Sequence, residues 1–244
     1  MNSQNGNIAD GGKTVYGATV GILMLDARFP RIPGDMGNAK TWPFPVLYKI
    51  VQGASPNRVV RHSAEGLLHA FIEAGQELVA MGVDGITTNC GFLSLFQQQL
   101  SLALKVPVAT SSLIQVPFIQ QILPPAKRVG ILTIAASSLS AEHLRNAGCA
   151  PDTPLESTEP GREFTRVILG NETRLNIDLA RRDNIEAAER LMSNHPNVGA
   201  IVLECTNMIP YAADIRATAG VPVYSMYSFI NWFQSGLEPC AEWR

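Results

Sequence analysis

A chain of 244 residues, 46% hydrophobic and 16% charged, is long enough to bury a sizeable core as one large or two small domains. A formal net charge of −2 leaves no basic footprint for nucleic acid, and no apolar run approaches the roughly 18 residues of a membrane-spanning helix, so neither is an expected partner. Four cysteines are too few for a disulfide framework at this length, and no Cys-x-x-Cys or His/Cys pair has zinc spacing, so free thiols, no metal site and a reducing, cytoplasmic location are expected.

Met1 to Lys13 is rich in Asn and Gly and has no apolar core, which predicts a flexible amino terminus over 1–17 and no signal peptide. Thr19 to Leu25 reads as a first buried strand ending at Asp26. Asp26 then sits at the carboxyl end of a strand, where open α/β sheets bind ligands, or serves as a turn cap. From Arg28 to Pro56, Pro30, Pro33, Pro43, Pro45 and Pro56 with Gly34 and Gly37 mark a long loop, broken by an edge strand over Val46 to Val51. Such a loop is expected to close over a cleft as a specificity lid, with Trp42 and Tyr48 lining the pocket, although aromatics there also serve as packing. Arg58 to Met81 has helical periodicity and would place His62 and His69 on one face, as solvated or capping residues.

The strand Val83 to Thr87 follows, then a helix from about Phe92 to Leu104 and a strand at Val106-Pro107-Val108, a rhythm that implies parallel pairing. Thr110-Ser111-Ser112 opens a helical run over Leu113 to Leu123, closed by Pro124-Pro125; hydroxyls before a helix are usually caps. The order then repeats: a strand over Val129 to Ile134, a helix to Ala147, a Pro-rich link through Pro160, a long helical region containing Ile177 to Met192, a strand ending at Cys205, a helix near Tyr211 to Thr218, the Val221 strand and a closing helix from about Tyr227.

Three short matches recur in the same order. Val20-Gly21-Ile22-Leu23 returns as Val129-Gly130-Ile131-Leu132, Val83 to Cys90 returns as Val198 to Cys205, and Val106-Pro107-Val108 returns as Val221-Pro222-Val223. They predict two similar α/β domains with parallel sheets and pseudo-twofold symmetry, the first over 18–112 plus 225–244 and the second over 113–224. Each would contribute one cysteine, at a strand-to-helix turn, to a substrate-sized cleft between them. Cys149 and Cys240, by contrast, read as small hydrophobes.

A thiol at a helix amino terminus faces unpaired N–H groups, which stabilise thiolate and are expected to lower its pKa below the usual ~8.5. The same groups favour a bound carboxylate. A base beside an anion hole is what removal of a proton next to a carboxylate requires, and a second thiol across the cleft can return a proton to the opposite face. No cofactor motif is present, so none is expected.

At these residues the chain resembles the aspartate/glutamate racemase superfamily, cofactor-independent enzymes with two similar α/β domains and a catalytic cysteine from each. The resemblance spans Thr19 to Trp232 and is carried by Thr88-Asn89-Cys90-Gly91-Phe92, Glu204-Cys205-Thr206 and Thr110-Ser111-Ser112, with Asp26 at the position of an acidic residue in glutamate racemases. The chain departs from those racemases at Gly91-Phe92, where they carry Asn-Thr, and at Asn207, where His or Glu is common. Pro33-Gly34-Asp35, Phe96-Gln97 and Glu204-Cys205-Thr206 also resemble the dimethylsulfoniopropionate lyase branch, which removes the same proton and then eliminates a β-leaving group. Arylmalonate decarboxylases, a further branch, rely on one cysteine.

The resemblance implies Cys90 and Cys205 as catalytic residues and Asp26, Asn89, Gly91, Thr110, Ser111, Ser112, Thr206 and Asn207 as substrate-binding residues. The implied partner is a small carboxylate, in a monomer or a homo-oligomer. Racemisation or epimerisation is the favoured expectation, β-elimination the alternative, and a non-catalytic carboxylate binder the reading from another class.

Overall fold

The computed structural model describes residues 11–239; Met1 to Asp10 and Cys240 lie outside the described residues. Two four-stranded parallel sheets share one strand order. The first contains β1 (Val20–Leu25), β2 (Val46–Val51), β3 (Gly85–Thr88) and β4 (Val108–Ala109), arranged β2-β1-β3-β4. The second contains β5 (Arg128–Thr133), β6 (Leu155–Ser157), β7 (Val198–Leu203) and β8 (Val223–Tyr224), arranged β6-β5-β7-β8. The duplication legible in the residues is therefore a duplication of topology, and the fold is the expected α/β class with two parallel sheets. β1, β5 and β7 read as near-continuous apolar runs because helices cover both faces of each sheet.

The helices are α1 (Pro56–Arg61), α2 (Leu68–Met81), α3 (Gln97–Leu104), α4 (Val116–Ile122), α5 (Ala141–Asn146), α6 (Phe164–Leu169), α7 (Ile177–Asn194), α8 (Ala212–Ala219) and α9 (Met226–Leu237). None is long and apolar enough to cross a membrane. The last of them returns to the first sheet, where Phe233 and Leu237 lie against Gly85 of β3 with no room for a side chain there. One continuous apolar cluster runs from Leu23 and Ile86 of the first half to Val202 and Ile215 of the second.

Three expectations are corrected. Arg58 to Met81 is two helices, because Ser63, Ala64 and Gly66 all adopt left-handed backbone between α1 and α2 (φ 50°, 52° and 71°), a conformation no continuing helix admits. His62 consequently ends α1, and His69 lies on α2. The Pro-rich link before Pro160 contains the short strand β6, which pairs Leu155 to Ser157 with Ile131 to Thr133 and is the counterpart of β2. The runs after both cysteines begin as 3-10 helix, Gly91–Phe96 and Thr206–Tyr211, before α3 and α8.

A buried carboxylate fixes α6 beside the cleft. Asp183, on α7, accepts the main-chain N–H groups of Arg162 (3.0 Å), Glu163 (2.7 Å) and Phe164 (2.7 Å), which are otherwise unpaired at the start of α6. Asp183→Ala would strand these donors, and since hydrogen bonds to a charged group contribute roughly 1.5–3 kcal/mol each before compensation, a net loss of about 2–4 kcal/mol is expected. Urea unfolding at fixed slope checks it; an unchanged midpoint would remove Asp183 as the anchor of α6.

Candidate active cleft

The two cysteines occupy equivalent turns at the carboxyl ends of β3 and β7. Cys90 (φ −149°, ψ 119°) and Cys205 (φ −76°, ψ 122°) are the extended residues that precede the two 3-10 helices, and both are buried. In each turn the main-chain N–H two residues on faces the sulfur, Phe92 for Cys90 and Asn207 for Cys205. Both sulfurs border one cavity, with Asn89, Gly91, Glu204, Thr206 and Asn207 as its polar rim and Leu25, Phe29, Val60, Phe92, Ile134 and Ile168 as its main apolar walls.

The space in that cavity open to the centre of a water molecule is only about 20 Å³. That is water-sized rather than the substrate-sized cleft expected from the sequence.

Direct hydrogen bonds register the two turns. Thr206 Oγ1 donates to the main-chain oxygen of Asn89 at 2.6 Å, linking the residue after one cysteine to the residue before the other. Asn89 Oδ1 accepts the N–H of Leu25 at 2.8 Å, which ties that turn to the end of β1. Asn207 Nδ2 donates to Asp35 Oδ2 at 2.5 Å, while Asp35 Oδ1 accepts from Arg31 Nη1 (2.8 Å) and Gly37 N (2.7 Å). The Pro-rich loop thus reaches the second cysteine turn through Asp35, and the Arg31 guanidinium lies 4.6 Å over the ring of Phe29 in the cavity wall.

Burial reverses the expected effect on the thiols. Their pKa values are raised, first by desolvation and then by the carboxyl of Glu204, and the facing N–H groups recover only part of the rise. No Lys, Arg or His lines the cavity, and the Arg31 guanidinium behind it lowers the Cys90 pKa by less than burial raises it. The resting cleft accordingly holds thiols.

Glu204, part of a motif that carries the family resemblance but not among the binding residues it implied, also lines the cavity. It is fully buried at the end of β7. Its Oε2 accepts from Thr133 Oγ1 at 2.7 Å, its Oε1 has no partner, and burial raises its carboxyl to about 7. Gly91 exists at this place for a steric reason: a Cβ there would run into Glu204 Oε1 and the Glu204 main-chain oxygen.

Several expected binding residues stand elsewhere. Asp26 is turned to the main-chain N–H of Gly53 (3.4 Å), outside the lining. Thr110 donates to Gln97 Oε1 (2.7 Å), Ser111 accepts the N–H of Leu113 (3.2 Å) and Ser112 donates to the main-chain oxygen of Leu203 (2.6 Å). All three hydroxyls are buried and engaged by the chain itself, so they brace the cleft without lining it. Trp42 and Tyr48 are also corrected. Trp42 Nε1 donates to Tyr48 Oη (3.1 Å), Tyr48 Oη donates to Met36 O (2.9 Å), and Trp42 stacks on Tyr227 in a second apolar cluster with Met226, Phe229 and Ile230. They fasten the loop to α9 as packing residues, away from the cavity. Cys149 is likewise buried, its thiol donating to Leu113 O at 3.5 Å and pushed up to about 12 by burial.

The Glu204 shift makes stability depend on pH. In an unfolded chain this carboxyl titrates near ~4.3, so folding favours its protonated form; that stabilisation is full below the unfolded value and is lost as pH rises through about 7. Glu204→Gln removes the ionisation and should stabilise the protein relative to the parent by about 3 kcal/mol more at pH 8 than at pH 4.5. Urea unfolding of both at the two pH values measures this, and an equal difference at both would contradict the buried-acid description.

No family model matches the chain. Among curated proteins, it is 26% identical over 227 residues to a dimethylsulfoniopropionate lyase of Durusdinium sp. clade D, a match covering 90% of this chain and 75% of the relative. Among solved structures, unliganded arylmalonate decarboxylase superposes with a TM-score of 0.60 at 14% identity, covering 90% of this chain and 92% of that one. Picrophilus torridus aspartate racemase superposes with a TM-score of 0.52 at 12% identity, covering 90% and 94%. The chain has the fold shared by this decarboxylase and this racemase, and its sequence resembles the dimethylsulfoniopropionate lyases.

Proposed function

We propose that the cleft abstracts a proton from the carbon α to a substrate carboxylate, with Cys90 and Cys205 as its proton carriers, and that this step expels a β-leaving group as in a dimethylsulfoniopropionate lyase. The observation that carries the reading is the pair of thiols on matching turns in one narrow cavity. Similarity to the Durusdinium lyase over 90% of the chain supports elimination and the substrate class.

The raised thiol pKa fits this chemistry. A proton next to a carboxylate is weakly acidic, and a thiolate made more basic by desolvation is a better match for it than an exposed one. One sulfur loses its proton to water while the cleft is open; closure around substrate then removes the solvent that weakened it as a base. Thiolate takes the α-proton, the C–H electron pair becomes the Cα=Cβ bond, and the Cβ–S pair departs on dimethyl sulfide to leave acrylate. The thiol returns its proton to water on reopening.

Racemisation is the second reading, favoured by one observation: each sulfur faces an N–H two residues on, so neither turn is built for a different task. Elimination needs one thiolate; racemisation needs a base on one face and an acid on the other. Dimethyl sulfide release should be measured by gas chromatography, and α-deuterium incorporation into aspartate and glutamate in deuterated water, for the parent, Cys90→Ser and Cys205→Ser. A lyase should release dimethyl sulfide and lose roughly 10²–10⁴-fold in rate on replacement of its base cysteine. Deuterium incorporation lost in both variants would assign racemisation, and rates indifferent to both replacements would leave only a carboxylate binder.

A further inference from the structure

Cys90, Cys205 and Glu204 are the ionisable side chains among the residues that line the cavity, and all three are acids. Resting on the reaction proposed above, the catalytic state must hold a substrate carboxylate and a thiolate together in this apolar space. A third negative charge there would oppose both, and an ionised Glu204 already makes each thiol harder to deprotonate. The geometry offers the alternative. Glu204 Oε2 is engaged by Thr133, whereas Oε1 is buried, unpartnered and set against Gly91 beside Cys90.

We infer that Glu204 works as a neutral carboxylic acid whose Oε1–H donates to the substrate carboxylate, and that its ionised form excludes anions from the cleft. An acid-to-carboxylate hydrogen bond is charge-assisted, and it strengthens as negative charge builds on the substrate oxygens during α-proton removal. This supplies the carboxylate donor that Thr110, Ser111 and Ser112 do not, since all three stand outside the lining.

The groups facing Glu204 and its neighbours leave it as the titrating member near neutrality. Thr133 on β5 does not ionise in this range. Cys90 and Cys205 stay protonated through pH 8 because burial raises them. The Asp35 and Arg31 pair lies behind Asn207 as a compensated ion pair. His143, edge-on to Phe92 in the cavity wall, is held neutral by burial, its pKa lowered to about 4.

Propionate, an anion throughout the range, is the probe, and calorimetry at pH 6 and pH 8 is the measurement. The parent should bind it about tenfold more weakly at pH 8 than at pH 6, since a carboxyl near 7 is mostly protonated at the lower value and mostly ionised at the higher. At pH 8, titrations in buffers of different ionisation enthalpy should show close to one proton taken up per propionate bound. Glu204→Gln keeps an N–H donor and loses the charge, so its affinity should be the same at both pH values; Glu204→Leu should bind more than tenfold more weakly than the parent at pH 6. Parent binding that is flat or tighter at pH 8, or uptake of no proton, overturns the inference without reference to any variant. A tenfold fall that persists in Glu204→Gln overturns it too, by assigning the titration to another group. Propionate binding with this pH signature in a protein that turns over no substrate would sink the lyase and racemase readings and leave the Glu204 inference standing.

Discussion

The hydrogen bond from Thr206 Oγ1 to the main-chain oxygen of Asn89 sets the distance between the two cysteine turns, and the remainder of the cleft is arranged around it. Two thiols carried by two different sheets border one cavity only if those sheets are held in a fixed register. Apolar packing brings the halves together but is non-directional. The fixed register comes from short polar contacts across the join: Thr206 to Asn89, Ser112 to the end of β7, and Asn207 to Asp35. Each uses a residue adjoining a cysteine turn or the strand beneath it. Precision is therefore concentrated where the sulfurs are.

Two electrostatic effects compete at those sulfurs, and their sizes decide the resting state. Oriented N–H groups at a helix start contribute roughly 0.3–2 kcal/mol toward an anion, whereas removal of a charge from water can shift a pKa by several units. At full burial, with a carboxyl nearby and no cation in the lining, desolvation wins at both cysteines. The turn geometry orients the thiols and marks the side from which an anion is stabilised; it does not by itself ionise them. Ionisation of the thiols is thereby coupled to how far the cavity shields them from water.

Much of the architecture was legible because parallel strands buried on both faces must be apolar, and a duplicated run of such strands leaves a duplicated pattern. β1 and β5, β3 and β7, and β4 and β8, each preceded by a proline, were all visible in this way. β6 was not, since three residues with Glu156 at their centre carry no apolar period, and the break at Ser63 and Ala64 was hidden because neither residue advertises left-handed backbone. In the cleft, Cys90 and Cys205 were legible as the ends of a repeated run, and Asn89, Gly91, Thr206 and Asn207 through the family resemblance of the motifs around them. Thr110, Ser111 and Ser112 show the limit of residue type as a guide: a hydroxyl beside a cleft is as easily absorbed by a main-chain carbonyl as offered to a ligand. The full burial of Glu204 was not legible, because its partner Thr133 lies far away in the chain.

The contact between Gly91 and Glu204 is made by main chain as well as by side chain. A Cβ at 91 would meet the Glu204 main-chain oxygen in addition to its carboxyl, so shortening 204 removes one collision and leaves the other. Position 91 is therefore held to glycine by the close approach of the two cysteine turns themselves, and no substitution at 204 alone releases it. The acid can be exchanged while both turns stay in place, whereas a larger residue at 91 requires the turns to separate.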